Sequence, residues 1–274
     1  MTTIKTDNHM HPFERAKSKD GMRSFIIEAQ KRGFEELTFT EHCPLLPGKS
    51  IASFDEYVAL SLELIEEISF PQVKLGIELD YHPQLVADAA HLIQQYPFEY
   101  VLGAVHIHSE LYTDEIRGKP YDEAIAFALE MNIQAVDTGL FDAIAHLDFA
   151  RWLSDENRFG AWSGTYAPLK HKDTFLKVFT RMERRGVALE VNSSGLTKGF
   201  SSLLPCPQVL AWAKDFNLMY VFGSDAHKAD NVGFGYEKVL GAVDRCQREK
   251  LVTFRHRKSA FLNELLTEAR TRDL

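Results

Sequence analysis

Short apolar runs recur along the chain, and each ends on a histidine, a carboxylate or an asparagine. Ile4-Lys5-Thr6-Asp7 leads into His9-Met10-His11, Leu37 to Thr40 into Glu41-His42, and Val73 to Ile77 into Glu78. Tyr100 to Val105 leads into His106, Ala143 to Ala145 into His146, Val187 to Val191 into Asn192, and Met219 to Ser224 into Asp225-Ala226-His227. Side chains alternate with period two in a strand, so His9 and His11 leave the first run on the same side and can grip one metal ion. The repetition of such endings is a stronger signal than any single pair.

Between these runs the pattern changes to helical spacing. Asp20 is placed to cap a helix with Met22, Phe25, Ile26 and Ala29 on its apolar face and Gly33 as its stop. Ser53-Phe54-Asp55-Glu56 has capping-box spacing and predicts a helix with Tyr57, Leu64, Ile65 and Ile68 inward. Further helices are predicted over 84–95, 121–137, Thr174–Arg185 and Pro207–Phe216. The tail predicts a helix over 236–249, an apolar run Leu251-Val252-Thr253-Phe254, and a last helix over 259–270.

Strand and helix thus alternate through seven units. Crossovers are right-handed and consecutive strands tend to be neighbours, so the fold class is α/β, a parallel sheet closed into a distorted (β/α)7 TIM-like barrel. Sites in such barrels lie at the carboxyl ends of the strands, where this sequence puts its histidines and carboxylates. With 274 residues, 45% hydrophobic and 26% charged, one domain spanning residues 1–274 is expected.

Charge and composition exclude several classes. A formal net charge of −8 argues against a nucleic-acid binder, whose affinity rests on neutralising backbone phosphates. Any phosphate on the substrate must instead meet metal ions or a few local cations. No run reaches the roughly eighteen apolar residues of a membrane span, and the first residues lack the apolar centre of a signal peptide, so a cytoplasmic protein is expected. Cys43, Cys206 and Cys246 are widely spaced and read as free thiols, with Cys43 before Pro44 serving packing.

His9, His11, His42, His106, His146 and His227 are six of the eleven histidines, and Glu78 and Asp225 are the carboxylates at equivalent positions. Neutral imidazole plus carboxylate, without thiolate, suits Zn, Mn or Fe(II), and a carboxylate can bridge two ions. The expected feature is a multinuclear metal centre. Arg151 and Lys198, in loops after strand ends, are the candidates to reach a phosphate. Gly233-Phe234-Gly235 is too short to signify a nucleotide loop. Arg255, His256, Arg257 and Lys258 read as a solvated surface flanking a helix.

His9-Met10-His11, Thr40-Glu41-His42, Gly76-Ile77-Glu78, Gly103 to His108, Ala145-His146-Leu147-Asp148, Leu189 to Gly195 and Gly223 to His227 occur in the order of the motifs of the PHP (polymerase and histidinol phosphatase) superfamily, which the chain resembles over residues 7 to 235. The pattern is most similar to that of its monofunctional histidinol-phosphate phosphatases. The resemblance implies a distorted (β/α)7 barrel with two to three divalent metal ions. His9, His11, Glu78 and Asp225 would hold the first; Glu78, bridging, with His106 and His146 the second; His42 and His227 the third. Many members supply the third metal with a further histidine shortly after the H-x-H pair, and here Glu14 stands as the substitute. The resemblance also raises Arg151 as a phosphate contact and places a basic residue near 197–198, where Thr197-Lys198 stands.

The implied reaction is hydrolysis of a small-molecule phosphomonoester, L-histidinol phosphate, to L-histidinol and phosphate in histidine biosynthesis. Attack by a metal-bridging hydroxide is expected, with Asp225 or His227 managing the proton that the leaving alkoxide needs. The alternatives are a PHP-type nucleotide phosphoesterase or nuclease using the same cluster, and a non-catalytic metal-binding module. The acidic balance counts against the nuclease. A bridging glutamate, which leaves coordination positions open, counts against the closed structural site.

Overall fold

β1 (Thr6–Asp7), β2 (Glu36–His42), β3 (Gln72–Asp80), β4 (Tyr100–Ala104), β5 (Ala143–Ile144), β6 (Ala188–Asn192) and β7 (Tyr220–Gly223) pair in parallel in chain order. The computed structural model describes residues 4–154, 165–198 and 201–265. β1 closes the sheet on β7: the Asn8 N–H donates to the Phe222 carbonyl at 2.9 Å, Asp225 N–H to the His9 carbonyl at 2.8 Å, and His11 N–H to the Ala226 carbonyl at 2.8 Å. The predicted barrel of seven parallel strands is therefore the observed fold. The first strand is shorter than the sequence pattern suggests, because the backbone from Asn8 to His11 bonds alternately to either side rather than along one ladder.

Among the described residues the helices are α1 (Lys19–Lys31), α2 (Ile51–Glu67), α3 (Val86–Gln95), α4 (Thr113–Ile116), α5 (Tyr121–Thr138), α6 (Lys172–Arg185), α7 (Pro207–Ala213), α8 (Tyr236–Ala242) and α9 (Arg245–Glu249). α1 buries Met22, Phe25, Ile26 and Ala29, as its spacing predicts, but Ser18 caps it rather than Asp20, its hydroxyl accepting the Gly21 N–H at 3.2 Å. α2 likewise begins three residues early, on Ser50. In both cases a serine upstream of a plausible cap offers the same chemistry. α7 stops at Ala213 rather than Phe216.

Period two sorts each strand into two faces. Leu75, Ile77 and Leu79 of β3 join the apolar layer beneath the helices, while Lys74, Gly76, Glu78 and Asp80 point into the barrel. Inside, Leu102, Ala104, Ala143, Ala145, Ala188 and Val221 form a separate apolar layer of mostly small side chains. This layer separates the carboxyl-end groups from the opposite mouth.

That mouth is closed by a hairpin, which corrects the reading of the tail. The predicted helix over 236–249 is broken at Val243-Asp244, where Asp244 forms a capping box with Gln247 and starts α9 afresh. Residues 259–261 are not helical. They belong to β9 (Lys258–Phe261), antiparallel to β8 (Val252–Arg255); residues 262–265 are helical, as predicted, and the part of the predicted helix beyond 265 lies outside the described residues. The turn between them puts His256 and Arg257 at φ 48° and 62°, the pair of left-handed residues a two-residue hairpin requires, without the glycine that advertises one. Tertiary contacts hold it: Arg257 N–H donates to the Glu99 carbonyl at 2.9 Å, and the Arg257 guanidinium pairs with Asp142 at 2.9 Å. The basic cluster at 255–258 is thus a hairpin turn rather than a helix flank; Arg255, His256 and Lys258 are exposed, as expected of a solvated surface, while Arg257 is committed to an ion pair. Val252 and Phe254 pack on the alanine layer, and buried Lys74 reaches Glu36 at 2.5 Å, the Phe254 carbonyl at 2.9 Å and the Thr253 hydroxyl.

Candidate metal centre

The site follows from strand register. His42, last in β2, is paired with Glu78 of β3, and both face inward at the carboxyl end. His106 lies just beyond β4 and His146 just beyond β5, so each arrives at the same level. His146 and Asp225 adopt positive φ, 24° and 52°, which is strained for non-glycine residues. The turn swings both side chains back over the barrel mouth instead of letting the chain run on into its loop.

Glu78 is the common neighbour. Its carboxylate lies 2.8 Å from His42 Nδ1, 3.0 Å from His146 Nε2, 3.5 Å from His9 Nε2, 3.6 Å from His11 Nε2 and 3.7 Å from His106 Nε2. Asp225 Oδ1 lies 3.3 Å from His227 Nδ1, 3.4 Å from His11 Nε2 and 3.9 Å from His9 Nε2. Four trios have their donor atoms within 4.8 Å of one another: His9, His11 and Glu78; Glu78, His106 and His146; His9, His146 and Asp225; and His11, His42 and His227. Glu14 lies 3.5 Å from His227 Nε2 and 3.9 Å from His42 Nε2, and its other neighbour is Lys49 at 3.5 Å.

These atoms fit cations better than they fit one another. His9 Nε2 and His11 Nε2 point at each other across 3.1 Å, although a pair of neutral imidazoles can place one proton there at most. Buried His42 Nδ1 and Glu78 Oε2 lie 2.8 Å apart and His11 Nδ1 lies 3.5 Å from Glu41, but none of the three atoms has a neighbour in hydrogen-bonding geometry, an arrangement that is costly unless something else satisfies them. Cys43 is no part of the set: burial pushes its thiol far up, away from the thiolate a metal would need.

Charge is arranged to match. Burial opposes ionisation of Glu78, but His9 and His106 hold its carboxyl well below the usual range. Burial likewise opposes the Asp225 charge, and Lys198 and His9 overcome it. Burial and the neighbouring His11 push the His227 imidazole down to about 4, and burial lowers His146, so both are neutral donors at pH 7.

Behind the inner donors stand carboxylates that the sequence reading did not single out. Glu190 on β6 reaches His9 Nδ1 at 2.6 Å, while its other oxygen accepts the His146 N–H at 2.7 Å and the Asn192 amide at 3.0 Å. Asp80 reaches His106 Nδ1 at 2.7 Å. Each fixes the ring so that Nε2 carries its lone pair inward. Glu41 lies 3.5 Å from His11 Nδ1 and accepts the Phe13 and Glu14 N–H groups. The signal for two of them was present in the strand pattern: Asp80 is two residues after Glu78, and Glu190 two before Asn192, on the inward phase.

The two basic residues separate. The Lys198 ammonium contacts Asp225 Oδ2, at the cluster. Arg151 is buried, its guanidinium donating to the Leu203 carbonyl at 2.9 Å and lying 3.7 Å from Asp148 and 5.8 Å from the Tyr166 ring centre.

A seven-stranded parallel barrel with imidazole and carboxylate donors gathered around one bridging glutamate defines a polynuclear metalloenzyme. Residues 7–194 match the PHP domain and residues 205–247 the PHP-associated family, and the chain belongs to the PHP domain family. It is 27% identical over 267 residues to a probable histidinol-phosphatase of Deinococcus radiodurans, covering 92% of this chain and 97% of the relative. It is 28% identical over 280 residues to the histidinol-phosphatase of Bacillus subtilis, covering 88% and 99%. Its fold is similar to that of the histidinol phosphate phosphatase of Lactococcus lactis, solved with zinc, L-histidinol and phosphate, at a TM-score of 0.71 and 20% identity over 94% of this chain and 100% of that one. The structure described as that of a putative histidinol phosphatase from Listeria monocytogenes gives a TM-score of 0.72 at 17% identity over 85% of this chain and 99% of that one.

Proposed function

We propose that this chain is a metal-dependent phosphomonoesterase that hydrolyses L-histidinol phosphate to L-histidinol and phosphate, with two to three divalent ions (Zn, Mn or Fe) held by His9, His11, Glu14, His42, Glu78, His106, His146, Asp225 and His227. The observation that carries the reading is the position of Glu78, whose one carboxylate approaches five imidazoles and so suits a bridge between ions. Bound divalent ions supply hydroxide near neutral pH and neutralise phosphoryl oxygens. The chain supplies the rest. Lys198 offers an ammonium to the phosphoryl group from beside Asp225. Asp225 and His227, 3.3 Å apart, form the pair that manages the proton for the leaving alkoxide. Arg151, held by the 202–203 carbonyls, is the further cation at this end of the barrel.

The histidinol-phosphatase relatives matched over nearly their whole length support the substrate, and the acidic net charge of −8 supports a small phosphomonoester over nucleic acid. The three free cysteines accord with a reducing compartment, and the proposal places the reaction in the cytoplasm of a histidine-synthesising cell. The test is a comparison on the metal-loaded protein of L-histidinol phosphate, a nucleoside monophosphate and a phosphodiester. A kcat/KM for L-histidinol phosphate at least tenfold above the others is expected; equal values would favour a nucleotide phosphoesterase or nuclease.

A further inference from the structure

The metal centre acts on the phosphoryl group, which every phosphomonoester shares, so the alcohol must be chosen by the surface beside it. Next to His106 and His146 that surface is a continuous set of rings. The Phe149 ring centre lies 4.6 Å from that of His146 and 5.3 Å from that of His106. Trp152 stands edge-on to Phe149 at 4.8 Å, and His108 packs against both, 5.3 Å from Phe149 and 5.6 Å from Trp152. Local geometry accounts for the assembly. His108 is two residues beyond His106 in a turn closed by the Ser109 N–H donating to the His106 carbonyl at 2.9 Å, and the two rings meet edge to face with centres 5.4 Å apart. Phe149 and Trp152 are three apart in a 3-10 turn, where such residues eclipse.

The wall runs outward: Phe149 is buried, Trp152 half-buried and His108 exposed. The Lys198 ammonium, in contact with Asp225, lies 5.5 Å from the Phe149 ring centre and 5.9 Å from that of Trp152. A phosphate received there would have its ester substituent beside accessible aromatic rings. On another side of the cluster lies a cleft of about 300 Å³ between the segments after β1 and β2, which includes Glu14, Lys17, Lys49 and Ser53. Its aromatic residues, Phe13, Phe54 and Tyr57, are each at most 4% exposed and present no ring face.

We propose that His108, Phe149 and Trp152 form the wall that selects the alcohol of the substrate, favouring phosphomonoesters that carry a planar heteroaromatic ring a few carbons from the ester oxygen. The ring packs on Trp152 and His108 while the phosphate lies beside Lys198. This rests on the phosphomonoesterase reading and adds to it the residues that set specificity.

The test compares L-histidinol phosphate with 2-aminobutanol phosphate, which keeps the phosphate and amine and replaces the ring by a methyl group. Trp152→Leu should reduce the preference for the aromatic ester about tenfold, through KM, with kcat and metal content unchanged. Trp152→Phe should restore most of it, and His108→Leu should shift it in the same direction. Ser53→Trp, which fills the cleft, should leave the preference unchanged. The proposal is overturned if Trp152→Leu slows both esters equally or leaves the ratio alone, or if the ratio collapses in Ser53→Trp instead. Binding of L-histidinol and 2-aminobutanol to the zinc-loaded protein, followed by calorimetry, separates this from the catalytic reading. A wild type that hydrolyses neither ester would sink the phosphatase assignment. The wall is overturned, whatever the rate of hydrolysis, if the two alcohols bind alike or if L-histidinol binds Trp152→Leu as tightly as it binds wild type.

Discussion

Glu190 Oε1 lies 2.6 Å from His9 Nδ1, and the same carboxylate takes the backbone N–H of His146, so one buried side chain sets two metal-facing groups. Glu190→Gln keeps the shape and loses the charge. Metal affinity should fall about 10- to 100-fold, with activity recovering substantially at saturating metal. Metal retained through dialysis and kcat measured across a metal titration check this. Unchanged retention would show that His9 is oriented without Glu190.

Chelation should abolish hydrolysis and lower the melting temperature together. With the cations removed, Glu78 and Asp225 face a ring of imidazoles in which the buried His11 and His42 Nδ1 atoms make no hydrogen bond. Ligand linkage at about 100-fold excess over Kd is worth about 2.7 kcal/mol. Elemental analysis of the isolated protein should find two to three ions per chain. Less than one ion in an active preparation would refute the metal mechanism.

Lys198 and Arg151 should behave differently. Lys198→Met removes the ammonium beside Asp225 and should cost about 1.5–3 kcal/mol of transition-state stabilisation, roughly ten- to a hundredfold in kcat/KM. Arg151→Met leaves the Leu203 carbonyl and Asp148 without their cation, so it should also cost about 1–3 kcal/mol of stability by chemical denaturation. Lost kcat/KM with unchanged stability in Arg151→Met would make its role that of a phosphate contact alone.

Lys74→Met should destabilise by about 3–5 kcal/mol, because it leaves the Glu36 charge inside the barrel with only the neutral Thr253 hydroxyl and the partly exposed Arg255, at 3.3 Å, beside it. The double variant Lys74→Met with Glu36→Gln should recover much of the loss. Denaturant midpoints decide it, and a double variant no better than the single would mean that the ion pair is not the source of the cost.

The barrel and most of its inner donors were legible because period two and chain order carry them: a strand that buries alternate residues shows where its last inward side chain falls. His42 and Glu78 follow from that rule alone, while His106 and His146 lie two residues past β4 and β5 and follow from carrying the same phase beyond the strand. Glu190 and Asp80 obey it too, but a carboxylate near a strand end gives no sign of whether it faces a cation or an imidazole until the neighbouring strand is in place. The hairpin was lost for a related reason. His256 and Arg257 lack the glycine or asparagine that marks a left-handed pair, and Glu99 and Asp142, far away in sequence, hold the turn.

That hairpin also fixes the order in which the molecule can be completed. All seven barrel strands precede it in the chain, yet Thr253 and Phe254 complete the partners of Lys74, and Arg257 completes those of Asp142. During synthesis the emerging barrel therefore carries an incompletely satisfied charge at one mouth, and an open apolar layer above it, until its last strands arrive. Contacts of such long sequence separation form late and slowly. The nascent chain has reason to remain a loose, chaperone-accessible sheet whose register becomes final only when the stopper is seated.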